Sequence, residues 1–522
     1  MTPRQFLERY PTLLKKHGSQ RKVARSLGIP RSTIYEWLAH KERHLYTEQG
    51  PDDAVVYGVP KRDVLRFIFT SAQDGTSVHV PFLRNLEAYA SHLGAALIIG
   101  GFTYNKRLFE EHRKNALSTQ YAPEVRKYMV HQRMDIGNNL MFCGEMNTLP
   151  TAVMPLTGFE TYTREKWGIF PHAKVQLVSV PTMKHTPAKQ IMTTGAVTMP
   201  NYVQKRAGIR AHFHHVFGAV LVEIDSAGDH FCRHLLGDKD DGSFQDLTRI
   251  VKDGCVTDGF SIEAVNWGDI HVESLNEVVA NATVNMNGLS PDNMLDVLRP
   301  RVQLFHDTSD FKRRNHHNLK DPHFRFRMFI NGTESIDDEL EAVAAYLVSA
   351  SRPWCKSVVV ESNHDLALLR WLKEVDWRED PINAEFYLQA QLVCLRAIRE
   401  CDKRFSVLEW ALKHFYNLES IRFRREEESY RVTDIECGMH GHLGSNGSKG
   451  SPKQFTKIGP KSNTGHVHSP AILDGAYVAG TCSNLDMEYN KGLSSWAHAH
   501  IVTYPSGKRT IVTMSNGKWR AA

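Results

Sequence analysis

The C-terminal half of the chain places Asp, Asn or His side chains at the ends of successive apolar runs. The runs "IEAVNWGDIHVE" (262–273), "VQLFHDTSDF" (302–311) and "SVVVESNHD" (357–365) each end in such residues, and "YRVTDIECGMHGH" (430–442) and "IGPKSNTGHVHS" (458–469) follow with histidines. Apolar runs of this kind predict buried strands, and open α/β sheets bind ligands at the carboxyl ends of their strands. The order of these runs therefore restricts this half of the chain to an α/β fold with a polar site at one sheet edge.

These strand ends carry residue types that bind metal ions. Asp269 and His271 lie two residues apart at a strand end, so their side chains point the same way and can bind one ion. Imidazole, carboxylate and amide ligands without thiolate suit Mn²⁺, Fe or Zn²⁺ rather than Ca²⁺ or a cysteine zinc site. A lone Asp-x-His pair is a weak signal, but the ordered series indicates a metal-dependent active site.

The order DxH, GDxxD, GNHD, His, GHxH resembles that of the calcineurin-like metallophosphoesterase family over residues 262–522. The resemblance implies a four-layer α/β/β/α domain with two divalent ions, Mn²⁺ first and Fe, Zn²⁺ or Mg²⁺ as alternatives. Two positions depart from the family, since His306 and Ser362 stand where it has glycine, but no ligand type is lost. The implied metal ligands are Asp269, His271, Asp307, Asn363, His440, His466 and His468.

The same resemblance implies roles for the residues around the ions. Asp307 would bridge both ions, and a hydroxide formed from their shared water would attack the phosphorus in line. His364 would assist departure of the alcohol, and Asp310 would hydrogen-bond His364 and keep its imidazole protonated and oriented. His442 is the alternative to His440, which lies nearer the strand. The expected enzyme is a hydrolase of phosphoesters.

The first 45 residues carry the positive charge of the chain. They contain ten Lys or Arg and three Asp or Glu, which gives +7, whereas the remaining residues carry −1. The stretch "QRKVARSLGIPRSTIYEWL" (20–38) resembles a helix-turn-helix, because small Ala24 lets two helices cross closely and Gly28 permits the tight turn. A protein-interaction module of the same shape and a solvated basic tail are the alternatives. The predicted DNA contacts are Arg21, Lys22, Arg25, Arg31, Ser32, Thr33 and Tyr35.

The predicted fold class is multidomain α/β, because 522 residues exceed what one core accommodates. We expect a helix-turn-helix domain at 1–45, a linker at 46–62, an α/β domain at 63–258 and the metallophosphoesterase domain at 262–522. An insertion at 377–428 reads as two helices and could form a cap beside the site. The short alternating strands in 471–481 and 499–519 would complete the second sheet of the family's β-sandwich. In the 63–258 domain, apolar runs at 65–72 and 95–102 around a helix at 81–94 predict a βαβ unit, and further strands are expected at 175–180 and 219–224. The histidines at 212–215 are expected to be structural. Substrate positioning and contacts within a homo-oligomer are two roles that this domain could have.

Three features concern the cellular setting. There is no apolar run of 18 residues, and Met1-Thr2-Pro3-Arg4 is not followed by the apolar stretch of a secretory signal. The eight cysteines are scattered and form no CxxC pair, which is typical of a reduced intracellular protein. We therefore expect a cytoplasmic protein without a membrane partner.

Within the metallophosphoesterase family, the basic N-terminal segment favours DNA as substrate, and the nearest likeness is to the SbcD-type nuclease branch. The whole chain is similar to phage-encoded proteins that join a helix-turn-helix to a metallophosphoesterase and act in host-DNA degradation and DNA transfer. We therefore expect a metal-dependent DNase in the host cytoplasm, with Arg313, Arg314 and Lys449 as further contacts to the DNA backbone. His316 and His317, which follow the two arginines, could also face the cleft of the active site. The alternatives are a protein phosphatase, a nucleotide phosphodiesterase and a DNA-binding regulator with an inactive site.

Overall fold

The computed structural model describes residues 3–39, 55–60, 63–105, 120–184, 186–426, 428–487 and 489–521. Residues 40–45 of the predicted N-terminal domain and residues 46–54 and 61–62 of the predicted linker lie outside this part. The α-helices of the described residues are α1 (Pro3–His17), α2 (Gln20–Leu27), α3 (Arg31–Ala39), α4 (Val80–Leu93), α5 (Pro123–Arg126), α6 (Arg206–Phe213), α7 (Glu277–Val284), α8 (Met294–Leu298), α9 (Pro322–Asn331), α10 (Ile336–Ala350), α11 (Ala367–Glu374), α12 (Ala384–Arg399), α13 (Val407–Tyr416) and α14 (Pro452–Phe455).

The strands of the described residues belong to four sheets. They are β1 (Val55–Tyr57), β2 (Leu65–Gln73), β3 (Ala96–Phe102), β4 (Arg133–Ile136), β5 (Leu140–Cys143), β6 (Trp167–Phe170), β7 (Leu177–Val180), β8 (Lys189–Thr193), β9 (Gly218–Ile224), β10 (His230–Leu236), β11 (Phe244–Asp246), β12 (Arg249–Lys252), β13 (Cys255–Thr257), β14 (Ala264–Asn266), β15 (Val302–His306), β16 (Lys356–Val360), β17 (Arg422–Arg424), β18 (Arg431–Val432), β19 (Ile435–Glu436), β20 (Lys461–Thr464), β21 (Ala471–Leu473), β22 (Ala476–Val478), β23 (Ala499–Thr503) and β24 (Arg509–Thr513). None of the described helices combines the length and the apolar character needed to span a bilayer.

The N-terminal segment folds into the three predicted helices, α1 to α3. The side chain of Ser19 caps α2 by accepting a hydrogen bond from the N–H of Lys22, and α2 ends at Gly28, whose φ of 64° is left-handed. Ser32 does not cap α3 as its position suggests, because the helix already begins at Arg31. The small apolar core consists of Phe6, Leu7, Val23, Ala24 and Ile34.

A six-stranded sheet, in the order β17-β16-β15-β14-β23-β24, forms the centre of the C-terminal half. Strands β14 to β17 are parallel, and their side chains alternate between two cores because successive residues of a strand face opposite sides. Val265, Phe305 and Val359 face the core that α7, α8, α10, α11, α12 and α13 share. The preceding residues, Ala264, Leu304 and Val358, face the opposite core. They share it with Val432, Ile435 and Cys437, which lie in or next to strands of a second sheet.

The second sheet has eleven strands, in the order β1-β4-β5-β6-β8-β7-β21-β22-β20-β19-β18. It joins strands of the predicted 63–258 domain to strands of the C-terminal half, through the pairing of Leu177 in β7 with Ile472 in β21. The predicted domain boundary at 258–262 stays a prediction. The eleven-stranded sheet contains strands from both sides of this boundary. One part of the linker prediction is wrong, because residues 55–57 form β1 and pair in parallel with β4.

The βαβ prediction is confirmed, since β2 and β3 are parallel and α4 connects them. They belong to a four-stranded sheet, β10-β9-β2-β3, whose outer face packs against Phe82, Leu86 and Tyr89 of α4. Its edge lies beside the six-stranded sheet, where the N–H of His234 donates to Thr510 Oγ1 over 3.1 Å. The strands expected at 175–180 and 219–224 are present as β7 and β9.

Two expectations for the C-terminal half need correction. The hairpin of β23 and β24 was expected in the second sheet, but it extends the six-stranded sheet because β23 pairs antiparallel with β14. The insertion at 377–428 contains two helices as predicted, yet they do not cap the site. Phe386, Tyr387, Leu408 and Leu412 of α12 and α13 are instead buried in the core over the six-stranded sheet. Helices and two stacked sheets thus form three of the four expected layers, and the fourth stays a prediction.

Candidate metal centre

The predicted ligands converge where strands of both large sheets end. Asp269, Asp307 and Asn363 follow β14, β15 and β16, which run in parallel and therefore end at one edge. His440 and His466 follow β19 and β20 of the second sheet, which are also parallel to each other. The site is thus built at the edge of the sandwich, from both of its sheets.

Two groups of ligand atoms share one carboxylate. The first group is Asp269, His271, Asp307 and His468, and the second is Asp307, His440 and His466; within each group the ligand atoms lie within 4.8 Å of one another. A carboxylate common to two ligand groups is what the bridging of two cations requires. The structure therefore brings together six of the seven predicted ligands, and Asn363 lies beside them in the wall of the adjoining cleft.

The distances within the two groups are short for side chains with no ion between them. Oδ2 of Asp307 lies 3.5 Å from Nε2 of His271 and 3.2 Å from Nε2 of His440. Nε2 of His468 lies 3.0 Å from Oδ2 of Asp269 and 3.0 Å from Nε2 of His271. All four imidazole and carboxylate groups of the first set are buried, so their charges and lone pairs interact with little solvent screening.

Several buried oxygen and nitrogen atoms in this cluster, of the kind that bind metal ions, have no hydrogen-bond partner among the described residues. A buried polar atom without a partner costs about 1–3 kcal/mol, so a cluster of them needs an explanation beyond folding. Oxygen and imidazole nitrogen atoms gathered in one buried site suit divalent cations. The residues present therefore fit a divalent metal ion. The atoms without a partner are Asp269 Oδ1, Asp307 Oδ1, Asn363 Oδ1, His440 Nδ1 and His468 Nδ1.

The backbone at four of the predicted ligands is left-handed, with φ of 49° at His271, 44° at Asp307, 73° at His466 and 55° at His468. Non-glycine residues seldom adopt this conformation, and it persists only where the surrounding structure enforces it. Its concentration at the ligands indicates that the loops are held in strained forms that direct these side chains inward.

Gly465 shows why the loop before His466 needs a glycine. A Cβ at this position would lie 2.1 Å from Oδ1 of Asp269, while the N–H of His466 donates to Oδ2 of the same carboxylate over 2.7 Å. Gly465→Ala should therefore displace Asp269 and weaken Mn²⁺ binding by about tenfold or more, a loss typical of mutations that disturb the residues orienting a metal ligand. Titration calorimetry measures this affinity. Gly459→Ala is the control, since nothing lies within 4 Å of its Cβ position, and equal affinities for the two variants would contradict the expectation.

Asp310 contacts a different histidine from the one expected. Its Oδ1 lies 2.6 Å from Nδ1 of His271, and its Oδ2 accepts a hydrogen bond from Ser274 Oγ at 2.8 Å. Nδ1 of His364 lies 3.6 Å from Oδ1 of Asp310 and 3.4 Å from its backbone oxygen. The expected carboxylate hydrogen bond to His364 is therefore absent, and Asp310 is a positioning residue for His271, which leaves Nε2 of that ring facing the ligand groups.

Electrostatics couple Asp310 and His271. Burial alone would raise the pKa of Asp310, but the neighbouring His271, together with His364 and Ser274, lowers it to about 2. Burial alone would lower the pKa of His271, but the carboxylates of Asp310, Asp307 and Asp269 raise it to about 9. Without an ion, the cluster of carboxylates holds a proton on His271, and a bound cation would displace it.

A cleft of about 830 Å³ opens beside Asn363 and His364. Its basic lining side chains are Lys312, Arg327, Arg370 and Lys491, against the carboxylates Asp310 and Asp321. His316, His317 and Tyr489 also line it, as the sequence suggested for the two histidines but not for the tyrosine. The cleft therefore presents positive charge next to the ligand groups, as an anionic substrate requires.

Sequence reasoning missed most of this lining. Arg327 and Arg370 lie on helices whose residues show no recognisable motif, and Tyr489 and Lys491 come some twenty residues after the last ligand. The ring of Trp496, also missed, lies 4.2 Å from that of His468 in an edge contact, and the Tyr489 ring lies 5.9 Å from Trp496. Only the folding of the chain brings these residues to the site.

Two predicted DNA contacts are corrected by the structure. Arg314 is buried and its guanidinium donates two hydrogen bonds to Asp380, at 2.6 and 2.8 Å. Arg313 donates to Glu273 at 2.7 Å and to the backbone oxygen of Ser335 at 2.6 Å. Both predictions are wrong because these guanidinium groups are already paired inside the protein.

The remaining predicted DNA contacts lie at the surface or near it. Tyr35 is 70% exposed, Thr33 is half-buried, and Lys449 is exposed in the Gly/Ser-rich loop. His442 in the same loop pairs with Glu426, which leaves His440 as the histidine of the ligand group. The other predicted contacts in the helix-turn-helix are exposed as well: Arg21, Lys22, Arg25, Arg31 and Ser32.

Comparison with known proteins gives one informative similarity. The chain is 40% identical over 465 residues to Protein A1 of Escherichia phage T5, an alignment that covers 87% of this chain and 83% of that protein. No family model and no solved structure matches the chain significantly. The similarity supports a phage origin, and at this identity and coverage the chain belongs to the same family as Protein A1 of Escherichia phage T5.

Proposed function

We propose that this protein is a metal-dependent phosphoesterase of the calcineurin-like type and that it hydrolyses DNA. The observation that carries the proposal is the buried pair of ligand groups that share Asp307. When bound, two divalent ions would supply hydroxide at neutral pH and offset the charge on the phosphoryl oxygens. Hydrolysis adds the elements of water across the P–O bond, so the leaving sugar oxygen must gain a proton.

His364 is the residue best placed to supply that proton. It lines the cleft next to the ligand groups, and its Nδ1 faces the backbone oxygen of Asp310 at 3.4 Å. A proton on Nδ1 satisfies that contact and fixes the ring, so Nε2 is the nitrogen available on the side of the cleft. We assign to His364 the donation of a proton from Nε2 to the leaving oxygen.

The choice of DNA rests on charge and on aromatic exposure. Lys312 and Lys491 line the cleft, where they can bind the phosphates on either side of the scissile bond. Tyr489 is 55% exposed at the same cleft, and an exposed ring of this kind offers a surface on which a base can stack. The separate basic N-terminal helices add a second region that suits a polyanion.

A cleavage assay tests the proposal. The purified full-length chain is incubated with linear and with circular DNA, in Mn²⁺ and in EDTA, alongside p-nitrophenyl phosphate and its bis-ester. We expect DNA to be cut in Mn²⁺ and to remain intact in EDTA. Intact DNA with hydrolysed p-nitrophenyl esters would refute the substrate but not the phosphoesterase. No hydrolysis of any substrate in Mn²⁺, Mg²⁺, Zn²⁺ or Fe²⁺ would refute both.

The N-terminal helices are expected to bind the DNA backbone. Replacing Arg21, Lys22, Arg25 and Arg31 by Gln should weaken binding to double-stranded DNA in EDTA. It should also reduce the slope of log affinity against log salt concentration by up to about 3 to 4, since each phosphate contact contributes roughly 0.9. Fluorescence anisotropy at several salt concentrations measures the slope. The control is Lys15→Gln/Lys16→Gln on α1, outside the predicted contacts. An unchanged slope in the fourfold variant would show that these helices bind something other than DNA.

A further inference from the structure

A second cavity, of about 310 Å³, lies between α6 and the loop at 150–153. Its lining includes Lys174, Arg206, Arg210 and His214 on one side and Pro150 and Val153 on the other. None of the residues discussed for the metal centre or the helix-turn-helix lines it. The cavity therefore belongs to the part of the chain for which the sequence predicts no chemistry.

The basic wall is built on one helix face. Arg206, Arg210 and His214 are spaced four residues apart along α6 and its end, so their side chains point to the same side. Both arginines are exposed, and within the part of the chain that the structure describes neither has an ion-pair partner. Like charges four residues apart on a helix repel each other, and an anion bound between them would remove that repulsion.

Lys174 belongs to the same basic lining and is itself fixed. It is 7% exposed, its Nζ donates to the backbone oxygen of Val153 at 2.5 Å, and it forms an ion pair with Asp474 in the turn between β21 and β22. Nδ1 of His214 lies 3.9 Å from the same carboxylate. Asp474 thus offsets the charge of Lys174 alone, and the charges of the two arginines remain uncompensated.

The charge and the shape of the cavity indicate the ligand. A phosphomonoester carries close to two negative charges at pH 7, and guanidinium groups bind its oxygens in pairs. The volume is near the lower end of the range for small-molecule pockets and exceeds what inorganic phosphate fills, while Pro150 and Val153 offer an apolar wall. We infer that this cavity binds a phosphomonoester whose phosphate Arg206 and Arg210 hold. The choice of a nucleotide within this class, free or at the 5′ end of a nucleic-acid strand, rests on the proposed function.

The two sources of the phosphate are separated by titration calorimetry in EDTA. The probes are dAMP, inorganic phosphate, and one oligonucleotide with either a 5′-phosphate or a 5′-hydroxyl. Arg206→Gln/Arg210→Gln should weaken dAMP binding by about tenfold or more, since charge-assisted hydrogen bonds are the strong ones. The matched control is Lys205→Gln/Lys239→Gln, which removes the same charge from exposed positions outside the cavity and should leave the affinity unchanged.

The outcomes of these titrations distinguish free nucleotides from strand ends as the ligand, and one outcome would refute the inference. A loss of dAMP affinity assigns the site to free nucleotides, and a loss confined to the 5′-phosphorylated oligonucleotide assigns it to strand ends. Ala211→Phe keeps both arginines but fills the cavity, so it should weaken binding of the same probe. This variant separates binding inside the cavity from a general effect of positive charge. The inference is overturned if the affinities of dAMP and of the 5′-phosphorylated oligonucleotide do not depend on the two arginines. It is also overturned if only the affinity of inorganic phosphate depends on them.

Discussion

Replacing Asp307 by Asn should nearly eliminate hydrolysis and prevent two ions from binding. Asp307 is buried, belongs to both ligand groups, and lies 3.2 Å from His440 and 3.5 Å from His271. An amide has neither the charge nor the second anionic oxygen with which a carboxylate bridges two cations. We expect kcat/KM to fall by about a thousandfold or more, as for residues on which a catalytic unit depends.

Two readouts accompany this variant, the rate of DNA cleavage and the number of Mn²⁺ ions bound per chain. The matched control is Asp365→Asn, a buried carboxylate that belongs to no ligand group. Burial and the nearby Asp307 raise the pKa of Asp365 to about 7, and its Oδ1 accepts hydrogen bonds from Thr308 and Ser309. Because Asn keeps an oxygen acceptor, the control should retain two ions and most activity. Two ions bound to the Asp307→Asn protein would contradict the bridging role.

Replacing His364 by Ala should lower kcat for DNA while leaving the ions in place. The residue lies in the cleft outside the ligand groups that share Asp307, so its loss removes a proton donor and no central ligand. General acid catalysis contributes about 10²–10⁴-fold, and we expect a decrease in kcat of that size with little change in KM. Steady-state kinetics at saturating Mn²⁺ measure both constants.

A leaving group that needs no proton separates a general acid from a structural role. The p-nitrophenolate released from bis-p-nitrophenyl phosphate is a stable anion, so His364→Ala should slow this reaction much less than DNA cleavage. His414→Ala, an exposed position on α13, is the control and should affect neither reaction. Equal losses with both substrates would refute the assignment of His364 as the acid.

The sequence predicted the parts of the site that depend on local order. Asp269, Asp307 and Asn363 each follow a run whose alternating or apolar pattern specifies a buried strand, and parallel strands bring such residues to one edge. The glycine before His466 was part of the same pattern, and the structure adds its reason, the close approach of Asp269. Residue type and spacing along the chain were sufficient for these predictions.

The errors concern contacts between residues that are far apart in sequence. Arg314 follows a metal loop and carries a charge, but its partner Asp380 lies 66 residues later, where no local pattern reveals it. Residues 55–57 read as a linker because three residues are too few for a periodicity, and they become a strand through pairing with β4. Asp310 is separated from His271 by 39 residues and from His364 by 54, and only the folded loop shows that its carboxylate contacts His271.

Crystals grown with Mn²⁺ and examined by anomalous scattering give the most direct test of the two-ion site. The proposed function predicts two peaks about 3.5–4 Å apart on either side of the Asp307 carboxylate, the usual spacing of two-metal sites. One ion should contact Asp269, His271 and His468, and the other His440 and His466. Asn363, which lines the adjoining cleft, is the further ligand that the family resemblance implies for the second ion. No peak at Asp307, or a single ion with one of the two groups left empty at saturating Mn²⁺, would contradict the account.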